Sequence, residues 1–474
     1  MKPRGPNGIV ASATTDPRLR STPATHMPET PTPFAAARAS ARTNPGREAR
    51  RIDGAVARAS AQTTGIRFAA RPSAASLETS LARSLKAHPD EAIAPLAGVP
   101  YVLQDVFDVA GLPTHCGAGF SEPFDTPAEK SGALHHKLDT LGMVLAAKTA
   151  PGEFGIDPVG DFAAPPETDR LPKDAEPDRR QAAPAAGNTA RAVAERVVPL
   201  GFALDTCCGL RFAAAQLGLF AYRMEPNALA GEGAYPIAPS LDSAGCVTTN
   251  AEDLACLLGS LYGAGSRDSV PDEPSGLFIT DLGTAPAPSV KAAALRLCRE
   301  LELEENPGAQ KEYGPRLAKA ADALPVILAR HLYSLHRHWI EEYRGHYHPE
   351  TLAFIESGAH CTAAEAEMAE TAQGHLKEAL AQFFRKHDFL MLPASPYPLK
   401  PQAEAGARSR EAFFRLAAPA ALAALPAVTL PVPCGDGTTA SIQILPHPRK
   451  LYFVPEILAQ LVGFFRDGSS RVPE

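Results

Sequence analysis

The chain has 474 residues, 45% of them hydrophobic and 21% charged, enough to bury the core of one large α/β domain or of two to three ordinary ones. Its 53 acidic residues outnumber 46 basic ones, and a net charge of -7 argues against nucleic acid or an anionic membrane as a partner, since both select clustered Lys and Arg. Eight Cys without a CxxC pair read as free thiols of a reducing cytoplasm, not as a disulfide frame or a zinc site.

The first 50 residues form a separate region. Between Met1 and Arg51 nine basic residues (Lys2, Arg4, Arg18, Arg20, Arg38, Arg42, Arg47, Arg50, Arg51) stand against Asp16, Glu29 and Glu48, among abundant Ala, Pro, Ser and Thr. Such a composition buries too little apolar surface to offset its ordering entropy, so residues 1–50 are predicted to be a disordered basic tail. The tail also resembles an organelle transit peptide, although its prolines interrupt a continuous amphipathic helix. No apolar segment has the character of a signal peptide or of a membrane span. One folded domain is expected over 51–470.

Within that domain Arg51 to Ala61 and Ser73 to Ala87 read as helices, the second with Leu77, Leu81 and Leu85 at four-residue spacing. Pro100 to Val109 is a strand closed by the turn Gly111-Leu112-Pro113, Ser131 to Leu141 a helix ended at Gly142, and Met143 to Ala147 a buried strand. This order predicts an α/β layer fold. Pro151 to Asn188, dense in Pro, Asp, Ala and Arg, reads as a long loop. A helical segment (Ala190 to Val198) and an apolar run (Val198 to Leu204) then lead into Asp205-Thr206-Cys207-Cys208-Gly209-Leu210-Arg211. Small residues at such a bend let backbone N–H groups converge on a ligand, as in an oxyanion hole.

Further helices are expected over Asn250 to Tyr262 with Asn250 or Thr249 as cap, Ser289 to Glu304 with Ser289 as cap, Arg316 to Tyr343, and Ala363 to Lys386. Strands are expected at Phe389 to Leu392, Pro426 to Val432 and Ser441 to Leu445, and a last helix at Val454 to Phe465. The apolar stretch Leu416 to Val432, with Pro419, Pro426 and Pro431, reads as a buried strand with flanking turns. His331, His336 and His338 lack the i, i+4 spacing of a helical metal site and, with His346 and His348, read as a solvated face. No metal or cofactor is expected.

Several segments together resemble the amidase signature family. These are Leu96 to Pro100, Asp105 to Thr114, Lys148 to Phe154, Asp205 to Arg211, Ala238 to Gly245, Asp388 to Pro393, and Ala424 to Ala427 with Ile442 to Ile444. They run in the family's order from about Ala94 to Phe465. The resemblance implies one α/β/α sandwich around a large mixed sheet and a chemistry of amide (C–N) hydrolysis. In that family a Lys accepts a proton through a bridging Ser, a second Ser attacks the carbonyl, and glycine N–H groups hold the oxyanion.

The matching positions here are Gln104 for the Lys, Ala186 (or Ala185) for the bridging Ser, and Gly209 for the nucleophile, with Cys207 and Cys208 where the oxyanion glycines stand. Thr206, Cys207 and Cys208 therefore line the oxyanion pocket, while Asp105 and the pair Asp205 and Arg211 match positions of structural role. Lys148 matches a Lys that is not the catalytic one.

The resemblance thus predicts a non-hydrolytic amidase-like protein that takes a small amide-type ligand, a protein partner or a second copy of itself. Two other readings stand beside it. One is an active hydrolase using Cys208 as a thiolate nucleophile, with His115, beside Cys116, or the His135-His136 pair as base; against it, a one-residue shift turns the side chain away from the direction of the Ser, and Cys207 and Cys208 read rather as small buried fillers. The other is a non-catalytic subunit of a larger assembly, docked through the tail and the 151–188 segment.

Overall fold

Runs such as Pro100-Tyr101-Val102-Leu103-Gln104 and Phe389-Leu390-Met391-Leu392-Pro393 are buried at every residue, which happens when a strand is covered by helices on both faces. The computed structural model describes residues 31–61, 66–120, 124–156, 186–226, 228–263, 274–303, 306–399, 407–435 and 437–467. Among these, ten strands form one sheet: β1 (Phe68–Ala70), β2 (Pro100–Gln104), β3 (Val144–Thr149), β4 (Leu200–Leu204), β5 (Phe220–Arg223), β6 (Ala244–Thr248), β7 (Gly276–Phe278), β8 (Phe389–Pro393), β9 (Ala427–Pro433) and β10 (Thr439–Pro446). Their spatial order is β1-β3-β2-β4-β6-β5-β9-β10-β8-β7. Pairing is parallel for β2 with β3, β2 with β4 and β7 with β8, and antiparallel elsewhere. The sheet is mixed, and the carboxyl ends of β2, β3, β4 and β5 share one edge, where β6 and β9 begin.

The period of two along each strand divides the core between two layers. Tyr101, Leu103, Leu145 and Phe202 face a core built with Leu134, Leu138, Leu254 and Leu258 of the helices Ala133–Thr140 and Ala251–Tyr262. Val102, Val144, Ala146 and Ala203 face the other, with Ile52 and Val56 of Pro45–Ala61, Leu77 and Leu81 of Ala74–Ala87, and Ala190 and Val193 of Gly187–Ala194. Three layers, α/β/α, result. The helix Gly187–Ala194 lies so close to β4 that a Cβ on Gly201 would stand 2.7 Å from Thr189 Cγ2, so the bare glycine permits the contact.

Asn250 caps its helix as expected, accepting from Asp253 N at 2.7 Å, and Ser73, read as the first residue of its helix, stands one place before it as the cap and accepts from Ser76 N at 3.1 Å. The eight cysteines are free thiols. Among the described residues no helix is long and apolar enough to cross a membrane.

Other expectations need correction. Residues 33–50 are not a disordered tail: they form the helix Pro33–Thr43 and the start of Pro45–Ala61, with Phe34, Ala37, Ala41 and Ala49 buried. Thr32 and Pro33 supply a cap and a helix-ready first residue, and apolar residues at positions 34, 37 and 41 make a buried stripe despite the basic composition. Residues 1–30, and 157–185 of the proposed loop, lie outside the described residues.

Ser289 is not a cap, because Pro288 opens the helix Pro288–Glu300 and Ala287 takes the capping place. The span Arg316 to Tyr343 belongs to two helices, Pro307–Ala320 and Ala323–Tyr343. Pro325, lacking an N–H, fits the first turn of the second. The segment read as a strand from Leu416 is the end of the helix Ala407–Leu422, which carries Pro419, and β9 begins at Ala427. The last helix is divided at Leu461 into Val454–Gln460 and Val462–Asp467.

Docking of residues 33–43 rests on Phe34, 1% exposed, whose N–H also donates to Asp253 Oδ2 at 3.3 Å. Phe34→Ala is expected to lower unfolding free energy by about 3–5 kcal/mol in urea titrations; a change within ~0.5 kcal/mol, the range of ordinary surface sites, would show that this helix is not part of the cooperative core.

Candidate functional site

The site is assembled at the edge where β2, β3 and β4 end. Gln104 is the last residue of β2, buried, and its Oε1 accepts from Leu204 N, the last residue of β4, at 2.8 Å. Its register partner on β3 is Thr149, whose hydroxyl meets that of Thr189 at 2.6 Å. Ala186 stands immediately before the helix that carries Thr189 and is buried. Asn188 ties the same turn to the end of β3 by donating to Ala150 O at 2.7 Å. Gly209 opens the helix Gly209–Leu217 directly after β4. Ala185 lies outside the described residues.

Asp105, next to Gln104, is fully buried against charge. Its Oδ1 lies 2.6 Å from Lys148 Nζ, and its Oδ2 accepts from His115 N at 2.9 Å and stands 3.3 Å from His115 Nδ1. Lys148 donates further to Pro113 O at 2.8 Å and Thr114 Oγ1 at 2.9 Å. His115 Nε2 is 3.5 Å from Asp125 Oδ1, so this imidazole stands between two carboxylates. His135 Nδ1 pairs with Tyr101 OH at 2.6 Å near the other end of β2, and His136 is exposed.

The turn Asp205 to Arg211 is held by its own carboxylate. Asp205 Oδ1 accepts from Cys208 N at 2.9 Å and Arg211 Nη2 at 3.1 Å; Oδ2 accepts from Arg211 N at 3.3 Å and Arg211 Nε at 2.9 Å. Arg211 Nη1 continues to Gln443 Oε1 at 2.9 Å. Burial opposes ionisation of Asp205, but Arg211 and its hydrogen bonds, with Arg223, hold the carboxyl below its ordinary range. Thr206 donates to Asp242 Oδ1 at 2.7 Å, and Asp242 also accepts from Ile237 N and Ala238 N.

Cys208 has φ +100°, a conformation that favours glycine, and its side chain is buried against Phe212 and Ala417. Burial pushes its thiol up to about 12, with Arg211 partly offsetting, and pushes Cys207 well above the usual thiol range. At neutral pH both are thiols, not thiolates.

Two features escape sequence reading. Arg223 at the end of β5 is fully buried and donates to the carbonyls of Asp205, Leu241 and Leu425. Burial lowers its guanidinium to about 10, with Asp205 opposing. An Arg inside the apolar run Phe220 to Met224 was the available signal. The second is Glu153, which accepts from His348 N, 195 residues away, at 3.1 Å. The histidine group is accordingly not a solvated face: His336 and His348 are buried, with His336 Nδ1 3.0 Å from Tyr347 OH, while His338 and His346 are exposed. Among the described residues no group of His, Cys, Asp or Glu is arranged to hold a metal.

An α/β/α protein with a glycine-type turn at the carboxyl end of a central strand and a second buried turn tied to the end of β3 is the class that fold and site define. The family model for amidases matches residues 54–450, and the chain belongs to the amidase family. It is 32% identical over 195 residues to a glutamyl-tRNA(Gln) amidotransferase subunit from Halorhodospira halophila, a match covering 39% of this chain and 38% of that one. The chain spans less than half the length of the curated relatives it matches. Among solved structures it is similar to an amidase at TM-score 0.71 and 21% identity, covering 91% of this chain and 98% of that one. It is also similar to 6-aminohexanoate cyclic dimer hydrolase complexed with substrate, at TM-score 0.68 and 16% identity, covering 91% and 96%. At these identities the structures establish the fold.

Glu153 yields a pH test. Burial raises its carboxyl from 4.5 to about 7, partly countered by bonds from Thr351 and His348. A carboxyl raised in the folded state contributes stability that is present below about pH 4.5 and is lost as pH rises to about 7, a change of roughly 3 kcal/mol if fully expressed. Glu153→Gln should flatten that part of the stability profile in urea titrations between pH 4.5 and 7.5; an unchanged slope would refute the assignment.

Proposed function

We propose that the chain binds a small amide-type molecule without hydrolysing it. The observation that carries this reading is Gln104. At the place matched to the family's proton-accepting lysine stands a carboxamide that takes up no proton near neutral pH and whose oxygen is already bonded to Leu204 N. Ala186 brings a methyl group to the bridging position, and Gly209 brings no side chain to the position of the nucleophile. Removing one member of a hydrolytic triad costs on the order of 10⁴ to 10⁶ in turnover, and the members act as a unit.

The environment of the other candidate groups supports the same reading. Lys148 is no replacement base, since its ammonium pairs with Asp105 and donates to Pro113 O and Thr114. Cys208 is no activated nucleophile, since burial keeps its thiol protonated and its side chain packs on Phe212 and Ala417. At the turn the Thr206 hydroxyl already donates to Asp242 and the Cys208 N–H to Asp205, so neither of these donors is free to hold an oxyanion. A second reading, a non-catalytic member of a multi-protein assembly, is favoured by the curated relatives, which are subunits by name. Size-exclusion chromatography of the full chain, alone and after co-purification from its native cell extract, separates the two; a monomer with no retained partner removes the assembly reading.

Purified protein should release no ammonia or amine from aliphatic and aryl amides above buffer. Release that disappears on Cys208→Ala, but survives surface substitutions, would sink the proposal. In parallel, iodoacetamide at neutral pH should modify Cys208 roughly a thousandfold more slowly in the folded protein than in denaturant, because so little thiolate is present. Rapid native labelling traced to Cys208 by peptide mass would instead favour the thiolate hydrolase.

A further inference from the structure

On β9 and β10 the residues Val428, Leu430 and Val432, and Ala440, Ile442 and Ile444, join the large core. The intervening residues Thr429 and Ser441 project to the opposite face with Gln443, because successive side chains of a strand alternate. Gln443 marks where that face leads. It accepts from Arg211 Nη1 and donates to Leu416 O at 2.7 Å, so it lies between the Gly209–Leu217 and Ala407–Leu422 helices. In register Gln443 is opposite Thr429, and Ser441 is opposite Pro431, which makes Thr429 and Ser441 diagonal neighbours, ~7–8 Å apart between backbone positions.

Both hydroxyls are fully buried, and neither Thr429 Oγ1 nor Ser441 Oγ has a hydrogen-bond partner among the described residues. Buried hydroxyls nearly always have one, so two on neighbouring strands without any among the described residues point to a further polar group at this patch. Cys208, Phe212 and Ala417 form an apolar contact of their own beside this patch, not continuous with either large core. Leu416, bonded to Gln443, and Ala417, packed on Cys208, are consecutive, so the patch and the Asp205 to Arg211 turn adjoin. The charges nearby are already matched. Asp205 and Asp242 stand with Arg211 and Arg223, and each guanidinium is engaged by protein acceptors. A neutral ligand suits such a setting better than an ion.

We propose that Thr429 and Ser441 form a subsite for a small, neutral, planar amide, which offers a carbonyl acceptor and N–H donors to the two hydroxyls. The subsite rests on the reading of the chain as an amide-binding protein and extends it by placing the ligand on the β9–β10 side of the turn. Cys208, Phe212 and Ala417 would meet the ligand's apolar end.

The test uses the full chain and acetamide, with acetate as a charged control of the same shape. Acetamide should raise the melting temperature of the wild type in a saturable way and give an isothermal-titration affinity, while acetate should do neither. The Thr429→Val and Ser441→Ala double variant should weaken acetamide binding at least tenfold. Thr429→Val alone, nearly isosteric, should weaken it at least threefold, and this result stands if the double variant does not fold. Acetamide affinity unchanged in Thr429→Val, acetate binding equal to acetamide, or no acetamide binding at all each overturns the subsite. Affinity unchanged in the variant leaves amide binding elsewhere on the chain intact. Turnover of acetamide to ammonia overturns the non-hydrolytic reading and leaves the subsite standing if the variants still lose affinity.

Discussion

The carboxylate of Asp205 is the point on which the site depends. It caps the Gly209–Leu217 helix through Cys208 N and Arg211 N and receives the Arg211 side chain on both oxygens. Its backbone carbonyl receives Arg223 from β5, and the same Arg223 reaches Leu241 and Leu425. Through Arg211 the network continues to Gln443 on β10. One buried acid therefore ties β4, β5, β10, the turn before β6 and the turn before β9 into a single edge. Buried ion pairs add little net stability but are costly to break, about 3–5 kcal/mol when one partner is removed, because the other charge is left without compensation. That asymmetry makes the edge rigid whatever chemistry is carried on it.

Rigidity explains how Cys208 is accommodated. A side chain at φ +100° costs roughly 1–3 kcal/mol and persists where the surroundings over-determine the backbone. Here the Cys208 N–H is bound to Asp205, its carbonyl receives Phe212 N at 2.7 Å, and its side chain is enclosed by Phe212 and Ala417. The turn takes this course because Asp205 and Arg211 dictate it. A residue other than glycine then occupies a glycine-type conformation, and the cost is offset by bonds that do not involve its thiol.

What could be read in the sequence follows from how local each cause is. The strands buried on both faces and the cap at Asn250 arise within a few residues and are legible there, while the pairing of Asp205 with Arg211 was implied only by the family resemblance. The helix Pro33–Thr43 was hidden by composition: its arginines and prolines signal disorder, while the stripe of Phe34, Ala37 and Ala41 that docks it is small and easily outweighed. The contact of Glu153 with His348, and of Gln104 with Leu204, joins residues 195 and 100 positions apart, and no local pattern encodes such pairs. Arg223 lies between these cases. A lone guanidinium in a buried strand requires several acceptors, but the sequence does not reveal that they are the carbonyls of residues 205, 241 and 425.

The same distinction bears on the proposed loss of hydrolysis. Gln104, Ala186 and Gly209 stand at the ends of three different elements, β2, the turn before Gly187–Ala194, and the turn after β4, and each is integrated locally in its own way. Gln104 satisfies the last N–H of β4, and a protonated lysine there would be a donor facing a donor, with Lys148 nearby at the end of β3. Restoring a base therefore requires a new acceptor for Leu204 N as well as a new side chain at position 104. A nucleophile at position 209 without that base would remain a neutral hydroxyl, since the members of such a triad act as a unit and its proton needs all three positions to change together. On this reading the barrier to hydrolysis lies in a hydrogen bond between two strands as much as in the absent side chains, and it is a stabilising one: the contact that keeps β2 and β4 joined at their ends occupies the place where the base would act.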